Sequence, residues 1–498
     1  MIQKFKVSYP NRKIYEESVV EDEGVFFFII RDELESFLII LSESKNNLNS
    51  SFEGALNQLD NGYYLKCPKN SHNANTLRDR FPSTRAVLIG KNNSYGLGDR
   101  LGNAGVAHLK SIRKTSFKPV LAQQSIRELQ RTNRTAQEVM DAATWAVFQS
   151  GFKGGFGADG DHLKTEKDID LMVAAGYTMF TIDPSEYVVN SVMDLTRDEL
   201  QKEYSELPWG TLSTTGASLL ETYSRIDIQL KSGSIERVSE EVVMSSMVKY
   251  GRVITHTKKL SDYLQNSYPN HSAELELSVD ETDEPTTPFE HYLIASELDR
   301  LNVELVSLAP RFCGDFEKGI DFKGDLEQFK QEYKLHLAIA EEFGGYKLSI
   351  HSGSDKFSVY EAIGSLNMGA VHVKTAGTSY LEALRTVASA DPVLFREILE
   401  YSKERFEEDK KTYHITGRPS DIPSNDELED QDLIHLLDDD DARQVLHVTF
   451  GSVLSGIDTI SASFKDRLMQ CLKMNEDLYE MNLENHFDKH LSPFINSD

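Results

Sequence analysis

Eight short apolar runs in this 498-residue chain end in groups that can bind metals, move protons or hold anions. The seventh is the densest: Tyr346–Ile350 leads straight into "HSGSDK", which supplies His351, Ser352, Ser354, Asp355 and Lys356. The first run is followed by Asp99 and Arg100 among glycines, and the second ends at Gln123, Gln124 and Ser125. The third carries Asp159, Asp161 and His162, the fourth Asp183 and Ser185, and the fifth Asp280, Glu281 and Thr282. The sixth is followed by Arg311 and, further on, Glu317 and Lys318; the eighth supplies His372, Lys374, Thr375 and Thr378. A strand-to-helix turn needs only a glycine and one capping side chain. Charged groups at the ends of buried runs must pair with each other or meet a ligand.

Imidazoles and carboxylates on different strands are what an open divalent-metal centre requires. His162 and His351 are the candidate ligands, with Glu317 as the carboxylate and His372 as a substitute. Zn, Mn, Ni, Co and Fe(II) suit such a set; Mg suits it less where imidazoles bind. Asp161 lies beside a candidate ligand, so a nearby cation would keep it ionised as a base, and Glu281 could act on the opposite face of a substrate. The cations Arg100, Arg311, Lys356 and Lys374 suit a carboxylate or phosphate, even after some pair internally. Asp99, Gln124, Ser125, Asp183, Ser352, Asp355 and Thr375 complete the candidate substrate-binding set, although Asp159, Asp183, Asp280, Asp355, Ser352 and Ser354 are also ordinary caps for turns and helices. His291, His336 and His414 lie away from the strand ends and read as ordinary histidines. "YGLGDRLG" superficially resembles a phosphate loop but lacks both the dinucleotide fingerprint and the P-loop ending, and no nucleotide-cofactor motif is visible.

The positioning elements follow from the pattern. "RAVLIG", "FKPVLAQQS", "GGFGADGDH", "YTMFTIDPS", "ELELSVDE", "VELVSLAPRF", "YKLSIHSG" and "AVHVKTAG" alternate with helical periodicity over 136–150, 289–301, 325–343 and 358–366. Strand–helix alternation of this kind predicts an α/β fold, and eight strands in series predict a (β/α)8 barrel whose strand ends converge on one face. The interval from Ser185 to Ala273 is too long for one connection and predicts a helical insertion at about 190–265 in the fourth loop. Residues 1–82 read as a β-rich unit with at least one hairpin, 83–390 as the barrel, and 391–498 as a helical extension. The extension's acidic runs suit a solvated surface, while "RQVLHVTFGSVL" could bring Arg443 or His447 to the barrel mouth.

A net charge of -27 argues against nucleic acid, which is bound by clustered Lys and Arg. Cys67, Cys313 and Cys471 are scattered, as suits a reducing cytoplasm. The N-terminus lacks an apolar signal core, and runs such as "GVFFFII" are too short to span a membrane. A homo-oligomeric state is left open.

Several of the same stretches carry a resemblance. "GLGDRLG", "AQQSIRE", "GFGADGDHLK", "FTIDPSE", "SVDETDEPTTP", "EKGIDFKGDL", "HSGSDKFSVY", "HVKTAGTSYLEA" and "HVTFGSVL" together resemble the tagaturonate epimerase family over roughly residues 85–460. The resemblance implies a metal-dependent epimerase that interconverts D-tagaturonate and D-fructuronate in hexuronate breakdown. The family is also similar in activity to ketose 4-epimerases acting on fructose and tagatose.

The inverted carbon of such a substrate lies one position beyond the carbon next to the ketone, out of reach of simple enolisation. Retro-aldol cleavage, rotation of the aldehyde and re-addition reach it without a hydride acceptor. Two other readings use the same residues: a metal-dependent class II aldolase or sugar isomerase, and a carbohydrate-binding protein without turnover. Product identity separates the enzymes, and chelator-sensitive turnover separates both from a binder.

Overall fold

The structure, a computed structural model, describes residues 1–48, 51–225 and 227–495. Eight parallel strands close into a barrel: β1 (Ser94–Leu97), β2 (Lys118–Ser125), β3 (Gly157–Leu163), β4 (Met179–Ile182), β5 (Glu274–Val279), β6 (Ser307–Pro310), β7 (Lys347–Ile350) and β8 (Val371–Thr375). Each pairs with the next in chain order, and β8 closes on β1 through His372↔Ser94 to Thr375↔Leu97. The strands are almost wholly buried, as parallel strands wrapped by helices must be. Side-chain caps turn the chain from strand into helix: Ser125 and Thr287 close reciprocal capping boxes with Glu128 and Glu290, and Asp325 caps the helix Leu326–Glu342.

The first strand lies one loop later than the sequence pattern places it. "RAVLIG" does not join the barrel ladder; Ala86 makes a single bridge to Phe156, and the Ile89 and Gly90 N–H groups donate to the Glu274 carboxylate at 3.0 and 2.8 Å. Val87 and Leu88 are 41% and 48% exposed. An apolar run signals burial, but a strand needs a partner row. That row is offered to "SYGL", whose Gly96 lets Gln123 approach where a Cβ would meet Gln123 Oε1 at 2.9 Å.

Between β4 and β5 come three short helices (Arg197–Ser205, Trp209–Leu212, Gly216–Tyr223), a small hairpin, and the long helix Glu240–Ser267. That long helix is tied to the next barrel helix, Pro288–Arg300, by Lys249 Nζ to Glu290 Oε1 at 3.0 Å. The expected insertion over 190–265 therefore takes in the barrel's own fourth helix. The N-terminal residues form a six-stranded antiparallel sheet over Lys13–Pro68 with two helices, Ile2–Ser8 and Ser71–Arg80. Its core, including Phe27, Leu38, Cys67 and Leu77, packs on Trp145 and Phe148 of helix Ala136–Gln149. After β8 the helices Thr378–Ala390 and Pro392–Asp409 lead into short 3-10 turns and then four helices ending with Glu476–Leu491. No helix among the described residues is long and apolar enough to cross a membrane.

Candidate active site

A cavity of about 560 Å³ opens where the strands end. Residues alternate across a strand, and His372 and Lys374 of β8 are both buried. Lys374 Nζ lies 2.7 Å from Asp159 Oδ2, 2.8 Å from Asp161 Oδ1, 2.7 Å from Glu276 Oε1 and 2.6 Å from Thr181 Oγ1. Burial alone would strip its charge, but the carboxylates overcome that and hold the ammonium well above its ordinary pKa. The reverse holds for Glu276: burial pushes it up, and Lys374 with His351 brings it well below the carboxylate range. Asp161 is likewise lowered against burial by Lys374 and His162, whereas Asp159 stays pushed up to about 6 because burial outweighs Lys374 there.

The two expected imidazoles meet edge to face above this hub, with ring centroids 5.2 Å apart and planes inclined at 69°. His351 Nε2 lies 2.7 Å from Glu276 Oε1 and its Nδ1 3.3 Å from Asp280 Oδ1. His162 Nδ1 lies 3.3 Å from Asp183 Oδ2 and its Nε2 3.8 Å from Asp161 Oδ1. Burial would lower both, yet the flanking carboxylates raise His162 to about 10 and His351 to about 9. His162 (φ 53°), Ser352 (φ 51°) and Asp355 (φ 62°) adopt left-handed backbone, which costs a non-glycine residue about 1–3 kcal/mol. Such turns at strand ends are a common mark of functional sites.

The donor set fits a divalent cation. Five carboxylates (Asp159, Asp161, Asp183, Glu276 and Asp280) surround one lysine and two imidazoles. This surplus of negative charge, with imidazole nitrogens on two sides, matches an open centre of mixed nitrogen and oxygen ligands. A more compact donor group, Asp355, His486 and His490, lies outside the cavity. There Asp355 accepts from His486 and from His490 at 3.1 Å and forms an ion pair with Arg443 at 2.7 Å, while His486 Nδ1 faces Glu382 at 3.2 Å and His490 Nδ1 faces the Tyr95 hydroxyl at 2.7 Å. Its imidazole nitrogens face protein groups and Arg443 pairs with the aspartate, so the cluster is a brace that ties the last helix to the turn after β7.

The other expected site residues divide into those brought to the cavity and those turned from it. Arg100, Ser125, Glu281, Arg311, Ser352 and Lys374 line it with Asp161, His162 and His351. Glu281 stands half-exposed at the rim, 3.9 Å from Arg127. Asp183 reaches the site through His162. Glu317 is a correction: it is not among the residues lining the cavity, and its carboxylate accepts from Lys323, Gln444, the Thr416 N–H and the Thr416 hydroxyl at 3.0, 2.8, 2.7 and 2.9 Å. Asp355 is a second, consumed by the brace. Lys356 is a third: its ammonium donates to the carbonyls of Glu317, Ile320 and Ser354. Asp99 caps the N–H groups of Leu101, Gly102 and Ala104, Gln124 donates to the Asp99 carbonyl, and Thr375 donates to the Gly96 carbonyl, so all three are structural. His372 is buried and held by Ser94 at 2.9 Å, with burial lowering it to about 3.

Glu276 was overlooked in the sequence, although a glutamate inside the parallel strand "ELELSV" is itself a signal. His447 lines the cavity with its Nδ1 unpartnered, and it fits only because Gly377 has no Cβ to meet its Nε2.

Comparison with known proteins accords with this arrangement. The family model described as tagaturonate epimerase matches residues 15–494. A tagaturonate/fructuronate epimerase of Thermotoga maritima is 40% identical over 482 residues, covering 96% of each chain. Crystal structures of a fructuronate-tagaturonate epimerase from Cohnella laeviribosi superpose with a TM-score of 0.90. The one with a single glycerol is 38% identical and covers 98% of both chains; the native one is 36% identical and covers 99% of both. With the barrel, the paired imidazoles and a match over nearly its whole length, the chain belongs to the tagaturonate epimerase family and is a carbohydrate epimerase of the isomerase class.

Proposed function

We propose that the chain interconverts D-tagaturonate and D-fructuronate by retro-aldol cleavage and re-addition, with a divalent cation held by His162 and His351. The observation that supports this most is the pair of imidazoles set among surplus carboxylates at the barrel mouth. Asp183 and Asp280, each beside one imidazole, are the carboxylates placed to complete the set. A bound cation would polarise substrate oxygens and offset negative charge as it develops.

The chain's own residues carry the proton work. Asp161 is ionised by Lys374 and oriented by Gln123, whose Nε2 donates to Asp161 Oδ2 at 3.1 Å. It takes the proton from the hydroxyl on the carbon to be inverted. The bond from that carbon toward the ketone then breaks, its electron pair passing into the enediolate and leaving an aldehyde. The aldehyde turns, the bond re-forms on the other face, and Glu281, protonated from solvent at the rim, gives its proton to the new alkoxide while Asp161 yields the proton it took to solvent. Both carboxylates line the same cavity.

The deciding experiment incubates metal-replete protein with tagaturonate and, separately, with fructose, and identifies products. Fructuronate from tagaturonate, abolished by chelation, is the expected result; net release of three-carbon fragments would instead indicate an aldolase. Tagatose from fructose would extend the reading to neutral ketoses.

A further inference from the structure

Building on that function, we infer that Lys318 holds the substrate's carboxylate, as a single ammonium about which the cleaved half of the sugar acid can turn. The cavity has five Lys and Arg side chains among its lining residues. Lys374 is saturated by three carboxylates and a threonine. Arg100 donates to Glu128 at 3.1 Å and stacks on Phe450 at 3.5 Å. Arg127 faces Glu281 from the rim with 43% of its side chain exposed, and Arg311 donates to the Thr282 carbonyl. Lys318, like Arg311, makes no ion pair among the described residues, but unlike Arg311 it donates to no backbone carbonyl there. Its Nζ donates to Ser352 Oγ at 2.5 Å. Ser352 directly follows His351 in the chain, and all three residues line the same cavity.

The chemistry favours a lysine at this place. Cleavage leaves a three-carbon fragment with the new aldehyde at one end and the carboxylate at the other. To invert the carbon, the aldehyde must show its second face while the fragment stays bound. An arginine fork fixes a carboxylate in one plane, whereas an ammonium is a point charge that tolerates rotation. Ser352, which accepts from Lys318, keeps its own O–H free to donate to the same carboxylate.

The test measures tagaturonate kinetics for wild type, Lys318→Met and Lys318→Gln, with metal content and melting temperature alongside. The expected result is a KM raised about 10- to 100-fold in both variants, the loss of one charge-assisted hydrogen bond, with a much smaller fall in kcat and unchanged metal content. Lys318→Arg should recover most of the KM but lower kcat, because the fork hinders the turn of the fragment. If Lys318→Met does not fold, Lys318→Gln carries the test. A KM within threefold of an active wild type in the folded variant overturns the carboxylate role alone. A wild type without turnover on tagaturonate rejects the proposed function and this anchor with it.

Discussion

His351 and Lys374 meet on a single atom: Glu276 Oε1 lies 2.7 Å from His351 Nε2 and 2.7 Å from Lys374 Nζ. Two cationic groups from adjacent strands thus lean on one carboxylate of β5, and a change to either is felt by the other. Removing the lysine leaves three buried carboxylates facing one another. Lys374→Met should therefore destabilise the fold by about 3–5 kcal/mol and abolish turnover at any substrate concentration. Urea unfolding followed by circular dichroism measures the first. A variant of unchanged stability that only raises KM would restore the lysine to the substrate-binding role its sequence position suggests.

Metal occupancy checks the imidazoles. His162→Ala and His351→Ala should each lower bound metal well below one equivalent by elemental analysis and lose at least ~100-fold in activity. Full occupancy with full activity in both would remove them from the centre.

For the proton-transfer pair, Asp161→Asn and Glu281→Gln should each fold and bind metal, with kcat down by roughly 100-fold or more and little change in KM. If Glu281→Gln turns over normally, the second role passes to Asp183 or Asp280, which lie closer to the imidazoles.

Acid stability tests a group remote from the chemistry. His108 is buried against Phe487 and Ser379, and burial lowers it to about 4. Below about pH 6.5 the unfolded chain protonates this histidine while the folded chain refuses the proton until near pH 4. Stability is thus lost as pH falls through that window, by up to about 3 kcal/mol from this residue. His108→Gln should flatten the pH dependence of unfolding between pH 4 and 6.5 by about one proton; an unchanged slope would contradict the neutral, buried state.

What could be read in advance follows a physical line. The barrel was legible because alternation and turn chemistry are local, and the strand-end polar groups because charge in a buried run is conspicuous. His162 and His351 stand out that way, and the fold brings both to the cavity. Which polar groups are already satisfied was not legible, because their partners come from distant parts of the chain: Lys374 is saturated by β3 and β5, Asp355 by the last helix, and Glu317 by Thr416 and Gln444. The displaced first strand has the same origin. "RAVLIG" is the more apolar segment, but ladder partners across the barrel select "SYGL".

The brace on Asp355 also sets an order in time. His486 and His490 follow the end of β8 by about 110 residues. At roughly 5–20 residues per second of synthesis, all eight strands are available several seconds before those histidines exist. During that interval the left-handed aspartate after β7 has Arg443 as its available partner but neither histidine. The nascent chain therefore completes the support of its barrel mouth last of all, when the final helix arrives.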